Sequence, residues 1–169
     1  MDRPSGVALE IDGGLFVFNR GTRSVVRIDF ADGASADRHG VQIVAENLLV
    51  TDDILPSYLL VDGDRLLIAE TGANRVLAWV DEELDIFADA SVGLAQPVGV
   101  AALPSGNILV ANHGDGMLVE LDAKGAFQRT VDTELGDNRL LSVAVRSDGS
   151  VFIVDDEGGF GSLYRVMLP

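Results

Sequence analysis

Four segments of the chain share one pattern, and this repeat constrains the fold more than any other feature of the sequence. Each copy opens with a short apolar stretch, continues through a turn rich in Gly and Asp, and reaches an aliphatic run that ends in a polar residue. The copies begin near residues 4, 56, 97 and 140, so their starts are 52, 41 and 43 residues apart. Repeats of about 40–50 residues made of short strands are typical of β-propeller blades.

Each repeat is expected to form a four-stranded antiparallel meander. The aliphatic run is apolar on both faces, as in residues 108–111, which predicts a strand buried between neighbouring blades. The next segment alternates apolar and polar residues, as a half-buried strand does. Gly and Asp in the intervening turns tolerate positive φ. Weaker fourth strands are predicted at residues 41–45, 84–87 and 127–131.

The fourth repeat ends differently from the others, because no fourth strand follows residues 163–167. We therefore predict an all-β chain, residues 1–169, with blades at about 4–48, 56–93, 97–135 and 140–169, the last without its outer strand. An unpaired outer strand exposes backbone groups, so self-association through open blade edges is one expectation. Three arrangements stay open: a fragment of a larger propeller, a partial ring that is completed by oligomerisation, and a closed four-bladed ring.

Composition restricts the class of protein. Of the 169 residues 47% are hydrophobic, too many for a disordered chain despite a net charge of −15. The apolar runs are too short for a membrane helix. Asp and Glu outnumber Lys and Arg 27 to 12, which disfavours nucleic acids and anionic membranes as partners. The chain has no Cys and no apolar leader after Met1, so we expect a soluble protein without a signal peptide, in a compartment left open.

The repeat resembles known families at two places. Residues 97–112 carry Pro-x-Gly-Val-Ala, a Gly turn and an aliphatic strand with a polar end, and this pattern resembles the NHL repeat. Residues 66–76, with 87–89 downstream, are similar to gluconolactonase and strictosidine-synthase-like propellers. Those families usually have six blades, so the resemblance implies part of a six-bladed type of ring. Trp79 lies in a predicted outer strand and is expected to pack between blades.

The gluconolactonase resemblance also implies a divalent cation, typically calcium, held by oxygen ligands. The family carries an Asn and an Asp just after the start of two blades, and the matching positions here are Tyr58 and Val98. Neither side chain is a ligand for calcium, and the equivalent Ser5 and Leu141 do not restore the site. This departure counts against a lactonase of that type.

The residue that ends strand two is polar in all four repeats, and repeat symmetry places these residues at equivalent sites near the channel. They are candidate ligand-binding or channel residues, and three of them are candidate metal ligands. A structural role is the stronger interpretation, because Asp and Asn readily bond the backbone of a following loop. The four residues are Asn19, Glu70, Asn112 and Asp155, of which Glu70, Asn112 and Asp155 are the metal candidates.

Two histidines and one acidic loop complete the candidates. His113 lies in a Gly-rich loop, and virginiamycin-lyase-like propellers also use a loop His, so it is the candidate acid–base catalyst. His39 lies in the insertion that lengthens the first repeat. Residues 155–161 are predicted to form a polar loop, whose acidic start could bind a cation weakly.

Together these features predict an NHL-type propeller that binds a protein or small-molecule ligand on one face. Four blades are clear, whereas no complete catalytic set is visible. The alternative is a divalent-metal-dependent hydrolase or lactonase of the gluconolactonase-like class.

Overall fold

Short β-strands account for almost all regular structure in this protein. The computed structural model describes residues 2–11, 13–30, 39–48, 58–157 and 160–168, which contain fifteen strands and two three-residue 3-10 helices, Thr71–Ala73 and Ala90–Val92. Within these ranges no helix has the length and hydrophobicity to cross a membrane.

The strands form four antiparallel sheets, one for each repeat, and each sheet runs in chain order. Blade 1 contains β1 (Pro4–Leu9), β2 (Leu15–Asn19), β3 (Ser24–Phe30) and β4 (His39–Ala45). Blade 2 contains β5 (Leu59–Asp62), β6 (Arg65–Glu70), β7 (Arg75–Val80) and β8 (Glu83–Ala88). Blade 3 contains β9 (Pro97–Ala102), β10 (Ile108–Asn112), β11 (Met117–Leu121) and β12 (Phe127–Asp132). Blade 4 contains β13 (Leu140–Val145), β14 (Val151–Glu157) and β15 (Phe160–Val166).

This arrangement confirms the predicted all-β propeller of four blades. Blade 4 has three strands among the described residues, as expected from the sequence. The predicted polar loop at 155–161 is wrong, because β14 continues to Glu157 and β15 begins at Phe160. Backbone pairing of Asp155 with Ser162 and of Asp156 with Gly161 extends the ladder through this acidic segment. The side chain of His39, in β4, lies outside the described residues.

Neighbouring blades are held together by apolar side chains that alternate along each strand. We call the side of a blade that packs on the preceding blade its leading face, and the opposite side its trailing face. Phe16 and Phe18 on the trailing face of blade 1 pack with Leu66 and Ile68 of blade 2. Trp79 joins them with its ring edge-to-face on Phe16, at a centroid distance of 5.6 Å, which agrees with its predicted role between blades.

The other two interfaces repeat this arrangement. Between blades 2 and 3, Leu67 and Val76 pack with Ile108 and Val110. Between blades 3 and 4, a cluster forms from the next set of equivalent positions: Leu109, Ala111, Leu118, Val143, Val151 and Ile153. The middle strand of each blade is therefore buried on both faces, which explains its continuous apolar sequence.

Gly99, in the Pro-x-Gly-Val-Ala segment, lies where β9 approaches the next blade closely. A Cβ at this position would lie 3.0 Å from the backbone N of Val143 and 3.3 Å from its Cγ1. The glycine is therefore required by the packing of β9 against β13 in the next blade, rather than by an unusual backbone angle.

Candidate functional site

The loops that follow strand two and the segments that enter the next blade meet at one end of the propeller, which we call the loop end. Hydrogen bonds join these segments from blade to blade. Asn74 Oδ1 accepts a bond from Gln96 N at 2.7 Å, and Thr71 Oγ1 donates to Pro97 O at 2.8 Å. Farther along, His113 N donates to Gln96 O at 3.0 Å. Blades 2 and 3 are thus tied together by polar contacts as well as by their apolar core.

The same pattern continues from blade 3 to blade 4. Asn138 N donates to His113 O at 2.8 Å, and Thr133 Oγ1 donates to Gly116 O at 2.5 Å. Residues 113–116 and 133–139 therefore form a connected loop pair. Because the bonds involve several backbone groups, we infer that the loop pair is a rigid part of the surface.

Asn112, one of the predicted site residues, is fully buried beneath this loop pair. Its Nδ2 donates to Gly93 O at 2.8 Å and to Asp115 Oδ2 at 3.3 Å. The other oxygen of Asp115 accepts from Met117 N at 3.0 Å. Asn112 thus connects the strand end to the segment before blade 3 and to its own following loop, which supports the structural interpretation.

Glu70 and Asp155 hold the same repeat position in blades 2 and 4, and both are buried. Glu70 Oε2 is bonded by Arg75 Nε, and Asp155 Oδ2 by Arg139 Nη2. Asp155 Oδ1 also accepts from Ser162 N at 3.1 Å. Buried carboxylates need such partners, because an unpaired charge in the interior is costly. Their oxygens are engaged in holding loops and strands.

Asn19 and Asn112 differ from these carboxylates in one respect. The Oδ1 atom of each is buried and has no hydrogen-bond partner among the described residues. A buried amide oxygen without a partner costs about 1–3 kcal/mol. A buried water is the partner that would suit these two oxygens.

His113 is nearly buried at the loop end, between blades 3 and 4. Its Nδ1 lies 2.9 Å from Leu140 O. A carbonyl oxygen only accepts hydrogen bonds, so Nδ1 carries the proton and Nε2 holds the lone pair when the ring is neutral. The ring therefore supports the blade 3–blade 4 contact, and its Nε2 is the atom that could act on a substrate.

The residues do not fit a calcium site of the gluconolactonase kind. Val98 is fully buried in the core between blades 3 and 4 and offers no side-chain oxygen. Tyr58 packs against the apolar cores between blades 2 and 3 and between blades 3 and 4. Its side chain carries no carboxylate. In the described ranges no group of three or more His, Asp or Glu side chains is arranged to hold a metal ion. We therefore derive no step through calcium, and the metal-ligand role of Glu70, Asn112 and Asp155 stays a prediction.

A groove beside the loop pair is a feature that the repeat pattern did not reveal. It has a volume of about 620 Å³ and lies between blades 3 and 4. Its polar lining includes Asp132, Glu134 and Arg139, and its apolar lining includes Leu135 and Tyr164. We call it the blade 3/4 groove. The repeat pattern could not indicate this groove, because one wall comes from the segment after β12 and the other from strands of blade 4.

Comparison with known proteins shows the fold. No family model and no curated protein matches the chain. Among solved structures, the nidogen/laminin complex matches with a TM-score of 0.71 and 14% identity, over 95% of this chain and 60% of that chain. A catalytically inactive histidine-to-alanine variant of virginiamycin B lyase from Staphylococcus aureus with quinupristin matches with a TM-score of 0.68 and 15% identity, over 98% of this chain and 56% of that chain.

A gluconolactonase-family structure matches with a TM-score of 0.68 and 19% identity, over 97% of this chain and 60% of that chain. The chain thus spans 56–60% of the length of these structures. At this level of identity the likeness concerns the fold and not the activity. In fold, the chain is a β-propeller similar to these structures.

Proposed function

We propose that this chain is a propeller binding module and that its blade 3/4 groove takes a protein segment or a small molecule. The observation that carries this proposal is the groove itself, about 620 Å³ in volume and adjoining the hydrogen-bonded loop pair. Ligand pockets commonly have volumes of about 300–1,000 Å³ and combine apolar walls with a few polar groups.

The rigidity of the wall supports a binding role. Thr133 and Asn138 are bonded to the loop of blade 3, and Arg139 is bonded to buried Asp155. A surface that is already ordered loses little conformational freedom when a ligand binds, so more of the contact energy appears as affinity.

The charge of the groove indicates the kind of ligand. Asp132 and Glu134 are exposed carboxylates. Of the two arginines that line the groove, Arg139 is bonded to the carboxylate of Asp155, and Arg165 Nη2 donates to Ser150 Oγ at 3.1 Å. The apolar side chains of Leu135 and Tyr164 lie beside them. A ligand with both cationic and apolar groups suits the acidic and apolar part of this lining. The similar fold in the nidogen/laminin complex is consistent with a protein as ligand.

A labelled peptide that alternates lysine with valine tests this proposal by fluorescence anisotropy. We expect saturable binding to the wild-type chain and weaker binding to the double variant Asp132→Asn, Glu134→Gln. Two exposed ion pairs are worth about 0.2–1 kcal/mol each, so the dissociation constant should rise roughly 2- to 30-fold. The substitution Asp132→Asn keeps a side-chain oxygen for the bond from the backbone N of residue 134, so the turn should be preserved.

The matched control is Asp81→Asn, Glu82→Gln, which changes the net charge equally at the opposite end of the propeller. Glu82 and Glu134 also share a left-handed backbone, with φ of 65° and 62°. If both double variants weaken binding to the same extent, the peptide responds to net charge and the groove is not the site. If the wild-type chain does not bind the peptide saturably, the cationic-ligand proposal is wrong.

A hydrolase remains the second candidate, and the geometry of His113 is the observation that favours it. Its Nδ1 is held by Leu140 O, which leaves Nε2 as the basic ring atom. Under the binding proposal, the chain should release no more product from lactone or ester substrates than a heat-denatured sample of the same chain releases. Steady release that falls about 10²- to 10⁴-fold in His113→Asn would support catalysis instead. The amide side chain retains an N–H donor for Leu140 O, so lost activity would not merely report a lost contact.

A further inference from the structure

A cavity lies between blades 1 and 2, at the end of the propeller opposite the loop end. It has a volume of about 440 Å³ and lies between the segment that follows β1 and the turn that joins β5 to β6. Phe16 and Leu66, each 1% exposed, are the buried apolar part of its lining, and half-buried Trp79 lies beside them. We call it the blade 1/2 cavity. Its volume is in the range that is common for ligand sites.

The tryptophan in this lining is not a requirement of blade packing. Trp79 pairs with Leu66, and the corresponding pair in blade 3 is Leu121 with Ile108. Leu121 is fully buried in the core between blades 2 and 3, so an aliphatic residue is sufficient at this repeat position there. Trp79 is instead half-buried and lines a cavity, which leaves part of its ring system accessible to a ligand.

Carboxylates are the main charged groups around the cavity. Asp64 lines it and makes no hydrogen bond or ion pair in the part of the chain that the structure describes. Glu10, also in the lining, accepts a bond from Arg27 Nε at 2.8 Å, and Arg27 Nη1 pairs with Asp29 Oδ1 at 2.7 Å. One guanidinium therefore serves two carboxylates, and Asp64 adds a third negative charge.

Arg65 is a cationic residue of the lining, but its charged group is bonded to other residues. Its Nε and Nη2 donate to Asp62 Oδ2 at 2.9 and 2.6 Å, and its Nη1 donates to Ala123 O of blade 3 at 2.6 Å. Its guanidinium carbon also lies 5.0 Å from the centre of the Phe87 ring. Asp62 thus balances the charge of Arg65, and these contacts hold the guanidinium on the side of blade 3.

We propose that the blade 1/2 cavity binds a small organic cation of the quaternary ammonium type. The carboxylate of Asp64 and the excess of negative charge around it attract a cation. Among aromatic side chains, tryptophan binds cations best, and the apolar part of the lining suits the alkyl groups on the nitrogen. This site is separate from the blade 3/4 groove, because it lies between a different pair of blades.

Fluorescence titration with choline tests the proposal, because Trp79 is the only tryptophan in the chain and lines this cavity. We expect a saturable change in emission at constant ionic strength. The neutral analogue 3,3-dimethylbutan-1-ol has carbon in place of the charged nitrogen, and it should bind at least about 3-fold more weakly. Equal binding of the two compounds would overturn the proposal. So would the absence of saturable choline binding, by fluorescence and by calorimetry, up to about 10 mM.

The variant Asp64→Asn tests the charge by calorimetry, because it removes the carboxylate while keeping the size of an exposed side chain. Choline should bind about 1.5- to 5-fold more weakly, whereas the neutral analogue should bind as before. Asp137→Asn is the matched control, since it changes the net charge equally at an exposed position of the loop end. If both variants weaken choline binding equally, choline responds to net charge and the proposal is wrong.

Two variants of Trp79 test the aromatic contribution. Trp79→Leu introduces the residue that blade 3 has at this repeat position, and it should weaken choline binding roughly 2- to 30-fold. Trp79→Phe keeps an aromatic ring and should weaken binding less. Far-ultraviolet circular dichroism shows whether each variant keeps its strands. Unchanged choline binding in a folded Trp79→Leu would contradict the proposal, and if that variant does not fold, Trp79→Phe and Asp64→Asn decide the question.

Discussion

Within β14, the buried carboxylate of Asp155 shows what the recurring polar residue does in this fold. It accepts bonds from Arg139, in the segment that enters blade 4, and from Ser162 N in β15. Asn112 has a related role, because its side chain connects Gly93 O to Asp115. The sequence predicted the position in every repeat and favoured a structural role. It could not identify the partners, since these lie on other segments.

Replacing Asp155 with Ala should lower the free energy of unfolding by about 3 kcal/mol. The substitution removes one carboxylate partner of partly buried Arg139 and the acceptor for Ser162 N, and breaking a buried ion pair typically costs this much. Urea denaturation measures the change. Asp137→Ala, at an exposed position of the same loop end, is the control and should change stability by less than about 0.5 kcal/mol. Equal losses in both variants would contradict the assigned role.

At the scale of elements, strands and turns follow the local sequence closely. The aliphatic middle strands β6 and β10 are buried on both faces, as their composition predicts. In the β11–β12 turn, backbone N–H groups of Ala126 and Lys124 donate to Asp122 and lower the pKa of its carboxyl group. Such local bonds explain why Asp is frequent in the turns. The extension of β14 to Glu157 and of β15 back to Phe160 was not predicted, because cross-strand pairing overrode a polar, Gly-containing sequence.

Gly99→Ala should destabilise the contact between β9 and β13. The new Cβ would approach the Val143 backbone, which cannot rotate away, so the two blades must separate slightly. Overpacking of this kind costs about 1–3 kcal/mol. Thermal unfolding measures the effect, and Gly40→Ala is the control, because a Cβ there meets nothing within 4 Å. If the two variants melt alike, blades 3 and 4 are not packed as closely as described.

At the scale of the whole molecule, the four blades pack in succession through three apolar interfaces. Local sequence predicted the four repeats, but the assignment of each side chain to a leading or trailing face came from strand register. On the leading face of blade 1, Val17, Val26 and Ile28 are buried, whereas Val7 and Leu9 are exposed. The sequence does not distinguish these aliphatic residues, because their exposure depends on what covers each part of the face.

The sequence by itself determined the class, the number of blades and most strands, because these depend on short-range periodicity and on turn residues. It also indicated the position of the polar strand ends. The tertiary structure decided that Glu70 and Asp155 are paired with arginines, that His113 is held by Leu140 O, and that a groove lies between blades 3 and 4. These contacts join residues that are distant along the chain or lie in different blades, so only the packing of the blades brings them together.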